Sequence, residues 1–313
     1  MCFLVYQFIF INLYIHTMKI KHWIKAFRLR TLPLSVSCIL MGFSLASLES
    51  SVDYILLSLT ITTTVFLQIL SNLANDYGDG IKGADKNRKG EQRMVASGLI
   101  SKKSMFSAVI LFSVLSLISG LALIYFSFDL STLFYPIVFL ILGLFSIWGA
   151  IKYTMGKTPY GYIGFGDVFV FVFFGILGVI GSYFLFCGQI NPIVFAGAFF
   201  CGCLSVSVLN MNNMRDYQSD KIAGKNTVVV NKGLSWARYY QVSLILSAIT
   251  ALSIIYLHTL NHWLLLTLLP VLILLLNIKK VVTFKNNIEL DAELKKIALS
   301  TFAITLIITL CLV

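Results

Sequence analysis

The sequence predicts an all-α fold, a polytopic membrane bundle of about nine transmembrane helices, because apolar segments of spanning length recur along it. Of its 313 residues, 58% are hydrophobic and only 12% are charged. A soluble domain is typically about 45–50% apolar and about 25% charged, so both values indicate a lipid solvent. The candidate helices are 32–49, 53–74, 104–127, 130–151, 167–187, 192–211, 237–257, 261–279 and 297–313.

The connections between these segments alternate between short and long, and the basic residues follow that alternation. All 24 lysines and arginines lie before the first segment, or in and directly beside the connections 75–103, 152–166, 212–236 and 280–296. The positive-inside rule therefore predicts that these connections face the cytoplasm from the inner (cytoplasmic) membrane, with the C-terminus outside. The net charge of +11 then reflects topology and contact with the lipid bilayer, and we expect no nucleic-acid partner.

The N-terminus divides into two parts. Residues 1–18 are largely apolar but too short to span a bilayer, and no basic residues precede them, so a signal peptide is not expected. Met18 opens a plausible second start, and we expect residues 1–18 to be a non-native or dispensable extension of a single domain, 19–313. Residues 19–30 mix basic and apolar side chains, which predicts an interfacial helix.

A first carboxylate motif ends the second candidate helix. Asn72, Asp76 and Asp79 fall at i, i+4 and i+7, and we expect them to share one face if the helix continues that far. Asp85 follows from a Gly-rich loop.

A second motif ends the sixth candidate helix. Asn212, Asp216 and Asp220 fall at i, i+4 and i+8, again on one predicted face. Asp216 follows Asp76 by 140 residues, with four spans from one motif helix to the next. This spacing predicts two similar four-helix halves whose motifs lie at the same side of the membrane.

Acidic side chains beside hydrocarbon are costly, so clusters of them indicate function. Carboxylates that face one another need cations, and Mg²⁺ prefers carboxylates together with substrate phosphates. Basic side chains near the motifs are suited to binding phosphate oxygens: Lys82, Arg88, Arg93, Arg215, Lys221 and Lys225. The sequence therefore predicts a magnesium-dependent diphosphate site. Helix capping or pairing with nearby lysines is the alternative, most of all for Asp85 and Glu91.

The two motifs resemble the patterns NDxxDxxxD and DxxxD of the UbiA superfamily of intramembrane prenyltransferases. The third acid of the first pattern would fall at Gly83, and the chain carries Asp85 instead. That variant is similar to the branch of polyprenyltransferases that acts on 1,4-dihydroxy-2-naphthoate. Further matching segments extend the resemblance over 19–313: Trp23–Ala26, Arg30–Pro33, Arg93–Gly98, Gly164–Phe171 and Asn212–Thr227.

The resemblance implies roles for individual residues. It implies Mg²⁺ contacts for Asp76, Asp79, Asp85, Asp216 and Asp220. It implies contacts to a substrate diphosphate for Asn72, Asn75, Lys82, Arg93, Lys152, Tyr153, Asn212, Arg215 and Lys225. Asp167 is a candidate for orienting or deprotonating the aromatic substrate, and helix capping is its alternative. Lys152 and Tyr153 are alternatively a topological anchor and an interface aromatic.

The implied reaction transfers a polyprenyl group from polyprenyl diphosphate to 1,4-dihydroxy-2-naphthoate with loss of carbon dioxide, which gives demethylmenaquinone. An allylic cation would form in a dry, aromatic-lined cavity. Two alternatives stay open at this stage: a UbiA-type transferase for another aromatic or lipid acceptor, and a cation transporter. Transporters usually place coordinating groups near the bilayer midplane, whereas these acids lie at helix ends beside basic residues. The sequence leaves the length of the prenyl chain and the oligomeric state of the protein open.

Overall fold

The structure is a computed structural model that describes residues 20–84 and 92–313. Within these ranges, nine helical segments are long and apolar enough to cross a membrane, which confirms the predicted all-α bundle. We number the helices α1 Leu32–Ala46, α2 Tyr54–Lys82, α3 Lys102–Ser127, α4 Phe134–Lys152, α5 Gly166–Cys187, α6 Ile193–Arg215, α7 Leu234–Thr259, α8 Leu268–Thr283 and α9 Leu290–Leu312.

A short helix over residues 20–27 precedes the bundle. It ends at Arg28, whose φ of 49° lies in the left-handed region, and a 3₁₀ turn over Leu29–Thr31 then leads into α1. Pro33 lies in the first turn of α1, where its missing N–H leaves no helical hydrogen bond unmade. Residues 20–27 are thus helical, as expected for the interfacial segment, and Arg28 marks the bend into the bundle.

Both motif helices extend further than the apolar pattern predicted. α2 continues through the first motif to Lys82 and ends at Gly83, whose φ of 73° is the left-handed cap that glycine favours. α6 likewise continues to Arg215. The predicted ends at 74 and 211 were wrong because hydropathy marks where lipid contact stops, whereas helical hydrogen bonding continues into polar residues.

The buried residues form two main clusters on either side of a central cavity. The smaller cluster joins the N-terminal helix to α2 and α3 through side chains such as Ala26, Leu73 and Met105. The larger cluster joins α1 and α5 to α6, α7, α8 and α9. The outward faces carry large exposed apolar side chains, which suits contact with lipid.

A buried polar network holds the last four helices together. Asn210 on α6 donates to Gln241 on α7 at 2.9 Å, and Gln241 donates to Asn277 on α8 at 3.5 Å. Asn277 in turn donates to Glu293 on α9 at 3.1 Å. Such side-chain bonds help to hold membrane helices together, so this network connects α6 to α9 through α7 and α8.

Candidate active site

A cavity of about 380 Å³ lies within the bundle, and helix ends from both motifs open into it. Its wall includes polar side chains from α2, from α6 and from the connections near them. They are Arg28, Asn72, Asn75, Asp79, Arg93, Tyr153, Asn212, Asp216, Asp220 and Lys225. The structure therefore gathers nine of the predicted site residues around one space, and it adds Arg28.

The side of α2 that lines the cavity overlaps the predicted face only in part. Asn72, Asn75 and Asp79 lie on it, at i, i+3 and i+7. The helix continues to Lys82, so Asn72, Asp76 and Asp79 share one face within about 60°, as predicted, but Asp76 lies at the edge of that face that does not line the cavity. With 3.6 residues per turn, the wall residues that α2 contributes further along centre on the side of Asn75, and Asp76 is rotated away from them.

Asp76 instead holds the turn that follows the Gly-rich loop. The backbone N–H of Met94 donates to its Oδ2 at 2.9 Å, and that of Val95 donates to its Oδ1 at 2.9 Å. The side chain is 1% exposed. Both carboxylate oxygens thus bind backbone, and the consequence is positional: Asp76 fixes the turn from which Arg93 reaches the cavity wall.

Asp79 is the carboxylate of the first motif that faces the cavity. The Tyr162 hydroxyl donates to its Oδ1 at 2.8 Å, and the Lys225 Nζ lies 4.0 Å from its Oδ2. Lys225 belongs to the connection after the second motif, so this ion pair joins the two motifs directly. Sequence reasoning missed Tyr162, because an aromatic residue in a loop gives no periodic signal.

Tyr162 also organises two lysines. The Lys82 Nζ lies 4.4 Å from its ring centre and the Lys225 Nζ lies 5.3 Å from it, distances at which a cation is attracted to an aromatic face. Lys82 donates to the backbone oxygen of Thr154 at 3.1 Å. Neither Lys82 nor Tyr162 is among the residues that form the cavity wall, and the direct contact of Lys82 with diphosphate stays a prediction.

The second motif is held by a side chain rather than by backbone. Arg215 donates from Nε to Asp216 Oδ1 at 2.8 Å and from Nη2 to Asp216 Oδ2 at 2.8 Å. Nη2 also donates to Asn212 Oδ1 at 2.5 Å, and Nη1 donates to Asp291 Oδ1 at 2.5 Å. Arg215 was predicted to bind diphosphate. Its donors are instead engaged by protein oxygens, which makes it a support for Asp216 and Asn212.

Asp220 completes the acidic wall on the second motif's side and is 8% exposed. Its backbone oxygen accepts from the Lys225 N–H at 2.9 Å, and the next N–H, of Asn226, donates to the Tyr162 oxygen at 2.9 Å. The turn after Asp220 therefore carries the Lys225 side chain back toward Asp79. Gly224, with φ 69°, supplies the left-handed residue within that turn.

Three further predicted residues have different positions. Tyr153 lines the cavity, and burial, followed by the carboxylates of Asp167, Asp79 and Asp220, raises its pKa, so the phenol stays protonated. Lys152 lies beside the Gly156 turn, with its Nζ 3.0 Å from where a Cβ on that glycine would be. Asp167 lies in the first turn of α5 between Tyr240 and the wall residue Tyr153, and is not itself part of the cavity wall. A direct contact of Lys152 or Asp167 with substrate stays a prediction.

The carboxylates suit a metal that is shared with a substrate. Among the described residues, no three His, Cys, Asp or Glu side chains cluster closely enough to hold a metal ion by themselves. Mg²⁺ typically takes only one or two carboxylates and completes its shell with phosphate oxygens and water. The oxygen-only set of Asp79, Asp216 and Asp220 fits that habit. Asp85, the fifth predicted ligand, lies outside the described residues.

Away from the motifs the cavity becomes less polar and runs deep into the bundle. Thr60 on α2 lines it 19 residues before Asp79, which corresponds to about 28 Å of helix. Phe139, Phe173 and Phe174 contribute aromatic faces, together with leucines and small hydroxyl side chains. The predicted aromatic lining is therefore only part of the wall. A long, mostly apolar channel that ends at a charged mouth suits a ligand with an anionic head and a hydrocarbon tail.

The fold and the site together define a class: a polytopic membrane protein with a carboxylate-bearing mouth over an apolar channel. The model of the UbiA prenyltransferase family matches residues 35–306, and the chain belongs to this family. A 1,4-dihydroxy-2-naphthoate octaprenyltransferase of Escherichia coli (strain K12) is 44% identical over 259 residues, 82% of this chain and 83% of the relative. One of Haemophilus influenzae is 41% identical, over 72% of this chain and 74% of the relative.

Solved structures share the architecture. A UbiA homolog from Archaeoglobus fulgidus bound to DMAPP and Mg²⁺ superposes with a TM-score of 0.59, covering 92% of this chain and 98% of that one. Its sequence identity is 15%, so the likeness concerns the fold.

Proposed function

We propose that this chain transfers a polyprenyl group from polyprenyl diphosphate to 1,4-dihydroxy-2-naphthoate, with loss of carbon dioxide, to give demethylmenaquinol, the quinol form of demethylmenaquinone. The observation that carries the proposal is the meeting of two Asp-bearing helix ends at one cavity whose wall also holds Arg93 and Lys225. The choice of acceptor rests on relatives at 44% and 41% identity, both named as octaprenyltransferases for this naphthoate.

The mouth of the cavity is suited to the diphosphate leaving group. Arg93 and Lys225 present positive charge there, and both are at most 9% exposed, so water screens them little. As the allylic C–O bond breaks, negative charge grows on the diphosphate, and fixed cations stabilise it most at that moment. Tyr162 keeps Lys225 in place through its ring and Asp79 through its hydroxyl.

Asp79, Asp216 and Asp220 are the residues that would hold Mg²⁺ with the substrate's phosphate oxygens, and Asp85 remains a predicted fourth carboxylate. When bound, the metal supplies Lewis-acid neutralisation of the diphosphate. A magnesium-bound family structure with DMAPP supports this choice of ion.

The channel accounts for the other half of the substrate. Its apolar wall receives the hydrocarbon tail and excludes water from the allylic cation. The ring carbon that bears the carboxylate then forms the new C–C bond. Its C–CO₂ bond breaks, carbon dioxide leaves, and the electron pair restores the aromatic ring. The phenol of Tyr153 lies on the wall of this space and is protonated, so it does not compete with the naphthoate ring as a nucleophile for the allylic cation.

We further propose the membrane arrangement that the charge pattern predicts. The motif ends of α2 and α6 would face the cytoplasm from the inner membrane, since the basic connections lie at the same ends as the motifs. Residues 19–313 would form one catalytic domain, with residues 1–18 dispensable.

A reconstituted assay tests the proposal. The purified full chain in lipid nanodiscs is given octaprenyl diphosphate and 1,4-dihydroxy-2-naphthoate, with and without Mg²⁺, and products are weighed by mass spectrometry. We expect a decarboxylated, prenylated naphthoquinol, together with the quinone that air oxidation makes from it, only with Mg²⁺. Asp129→Asn is the matched control, because Asp129 is a carboxylate in an exposed turn between α3 and α4, and it should retain activity. Prenylation of 4-hydroxybenzoate in place of the naphthoate would contradict the assigned acceptor.

A further inference from the structure

The start of α9 contacts the end of the second motif helix at two points. The Asn287 side chain donates to the backbone oxygen of Met214 at 3.0 Å. Asp291, in the first turn of α9, accepts from Arg215 Nη1 at 2.5 Å. Arg215 has 2% of its side chain exposed, so its charge is held almost entirely by protein partners. α9 thus supplies a carboxylate on the side of Arg215 that faces away from the cavity.

We propose that Asp291 is a positioning residue for the metal-diphosphate site and acts on Asp216 through Arg215; this rests on the proposed function. The guanidinium is planar and its donors have a fixed geometry. With Nη1 anchored on Asp291, the Nε and Nη2 edge is aimed at Asp216, where it makes two bonds of 2.8 Å. The orientation of the Asp216 carboxylate is therefore set from α9.

Charge gives Asp291 a second effect. Arg215 alone would cancel the negative charge of Asp216 and weaken it as a cation ligand. Asp291 offsets part of the positive charge of Arg215, although Asp291 is 39% exposed and also lies 3.5 Å from Arg30, so solvent and Arg30 reduce this effect. Asp216 therefore keeps more of its negative potential than it would beside Arg215 alone.

A carboxylate oxygen has more than one acceptor site, so a bond from Arg215 does not by itself exhaust the capacity of either Asp216 oxygen. Asp216 lies on the cavity wall and is 7% exposed, so it can still ligate an ion there. Residues that orient a metal ligand from behind typically change metal affinity about 10–100-fold when replaced. We therefore expect Asp291→Asn, which keeps the shape and removes the charge, to weaken metal binding about tenfold.

Glu289 offers a matched control two residues away. Its side chain is 37% exposed, close to the 39% of Asp291, and it pairs with Lys280 rather than with the second motif. Glu289→Gln removes the same charge from the same helix start, and glutamine can keep the capping bond to the Asn286 N–H.

The test measures metal binding without turnover. The full chain in nanodiscs is titrated with Mn²⁺ in the presence of farnesyl thiolodiphosphate, a non-reacting analogue, and free Mn²⁺ is followed by electron paramagnetic resonance. We expect the apparent Kd for Mn²⁺ to rise about tenfold in Asp291→Asn and to stay within about twofold of wild type in Glu289→Gln. The KM for the naphthoate should be unchanged in both. The midpoint of thermal unfolding should fall only a little in Asp291→Asn, because asparagine still offers Arg215 an acceptor oxygen. Asp291→Glu should restore part of the affinity.

Coupling through Arg215 is tested in the same assay. In an Arg215→Lys background the fork to Asp216 is already lost, so adding Asp291→Asn should change the Mn²⁺ Kd little further. Full additivity of the two changes would overturn the proposed route. A lowered unfolding midpoint with equal losses for Mn²⁺ and naphthoate would overturn it too, by showing a merely structural role. Wild-type-like Mn²⁺ binding by Asp291→Asn refutes this inference alone, whereas failure of the wild type to bind Mn²⁺ refutes the metal site of the proposed function as well.

Discussion

The two carboxylate motifs are alike in sequence and different in construction. In the first, Asp76 is bound by two backbone N–H groups, and the neighbouring Asp79 faces the cavity. In the second, Asp216 itself faces the cavity and is gripped by Arg215. Asp76 and Asp216 have the same place in the two NxxxD patterns, yet Asp76 faces a backbone turn and Asp216 faces the cavity.

The difference follows from what comes after each helix. The turn over residues 94–98 lies against α2 and brings the N–H groups of Met94 and Val95 to Asp76. The connection after α6 turns away through Gly224 toward Tyr162, so a side chain must satisfy Asp216 instead. Whether a carboxylate at a helix end faces the cavity or binds a neighbouring turn therefore depends on where the next backbone N–H donors lie.

The largest effect that the comparison predicts is on Asp216. Asp216→Asn should lower kcat about 10³-fold, since a carboxylate that would hold Mg²⁺ at the diphosphate is lost. The unfolding midpoint should fall little, because Arg215 keeps its bond to Asp291. Mass spectrometry of the product in single-turnover reactions measures the rate, and thermal unfolding in detergent measures the stability. Retained turnover in Asp216→Asn would remove the second motif from the chemistry.

Asp76→Asn should show the reverse balance. Asparagine offers one acceptor oxygen to two N–H donors and aims its amide at the other. Hydrogen bonds to charged groups are worth about 1.5–3 kcal/mol, so we expect a loss of about 2–3 kcal/mol in the free energy of unfolding. Turnover should fall less than in Asp216→Asn, through displacement of Arg93. A stable Asp76→Asn protein without turnover would instead restore Asp76 as a metal ligand and erase the contrast between the motifs.

A glycine sharpens the comparison further. Gly78 lies two residues after Asp76, and a Cβ there would come 2.6 Å from Thr154 Oγ1 and 2.8 Å from the Thr154 backbone oxygen. Gln218, two residues after Asp216, is exposed. Gly78→Ala should lower the free energy of unfolding by about 1–3 kcal/mol through overpacking. Gln218→Ala should change it by less than about 0.5 kcal/mol, as is typical of surface positions. Equal thermal stability of the two variants would show that α2 is not wedged against Thr154.

Hydropathy and charge predicted the bundle because lipid selects for runs of apolar side chains and basic flanks. The motif acids were also found from sequence, since an acid beside hydrocarbon is costly. Which of these acids face the cavity was not predicted from sequence. Asp76 and Asp79 are less than one helical turn apart, and only the position of the 93–95 backbone determines that Asp79 faces the cavity and Asp76 does not. Partners from distant elements gave no signal either. Tyr162 lies in a loop, and Asp291 lies before the last predicted span, where it was one polar residue among several.

Tyr162 gives the smallest predicted effect and the finest division between the motifs. A neutral phenol orients Asp79, whereas a buried guanidinium orients Asp216. Tyr162→Phe keeps the ring under Lys82 and Lys225 and removes only the bond to Asp79. We expect the KM for the polyprenyl diphosphate to rise about tenfold, the equivalent of about 1.4 kcal/mol, with kcat nearly kept. Tyr256→Phe is the control, because the Tyr256 hydroxyl lies 3.4 Å from the His262 Nδ1 and Tyr256 is outside the cavity wall, so its loss should leave that KM alone. If the two phenylalanine variants behave alike, Tyr162 only packs the loop. If Tyr162→Phe alone raises the KM, and by less than Arg215→Gln does, the neutral phenol supports Asp79 more weakly than the charged guanidinium supports Asp216.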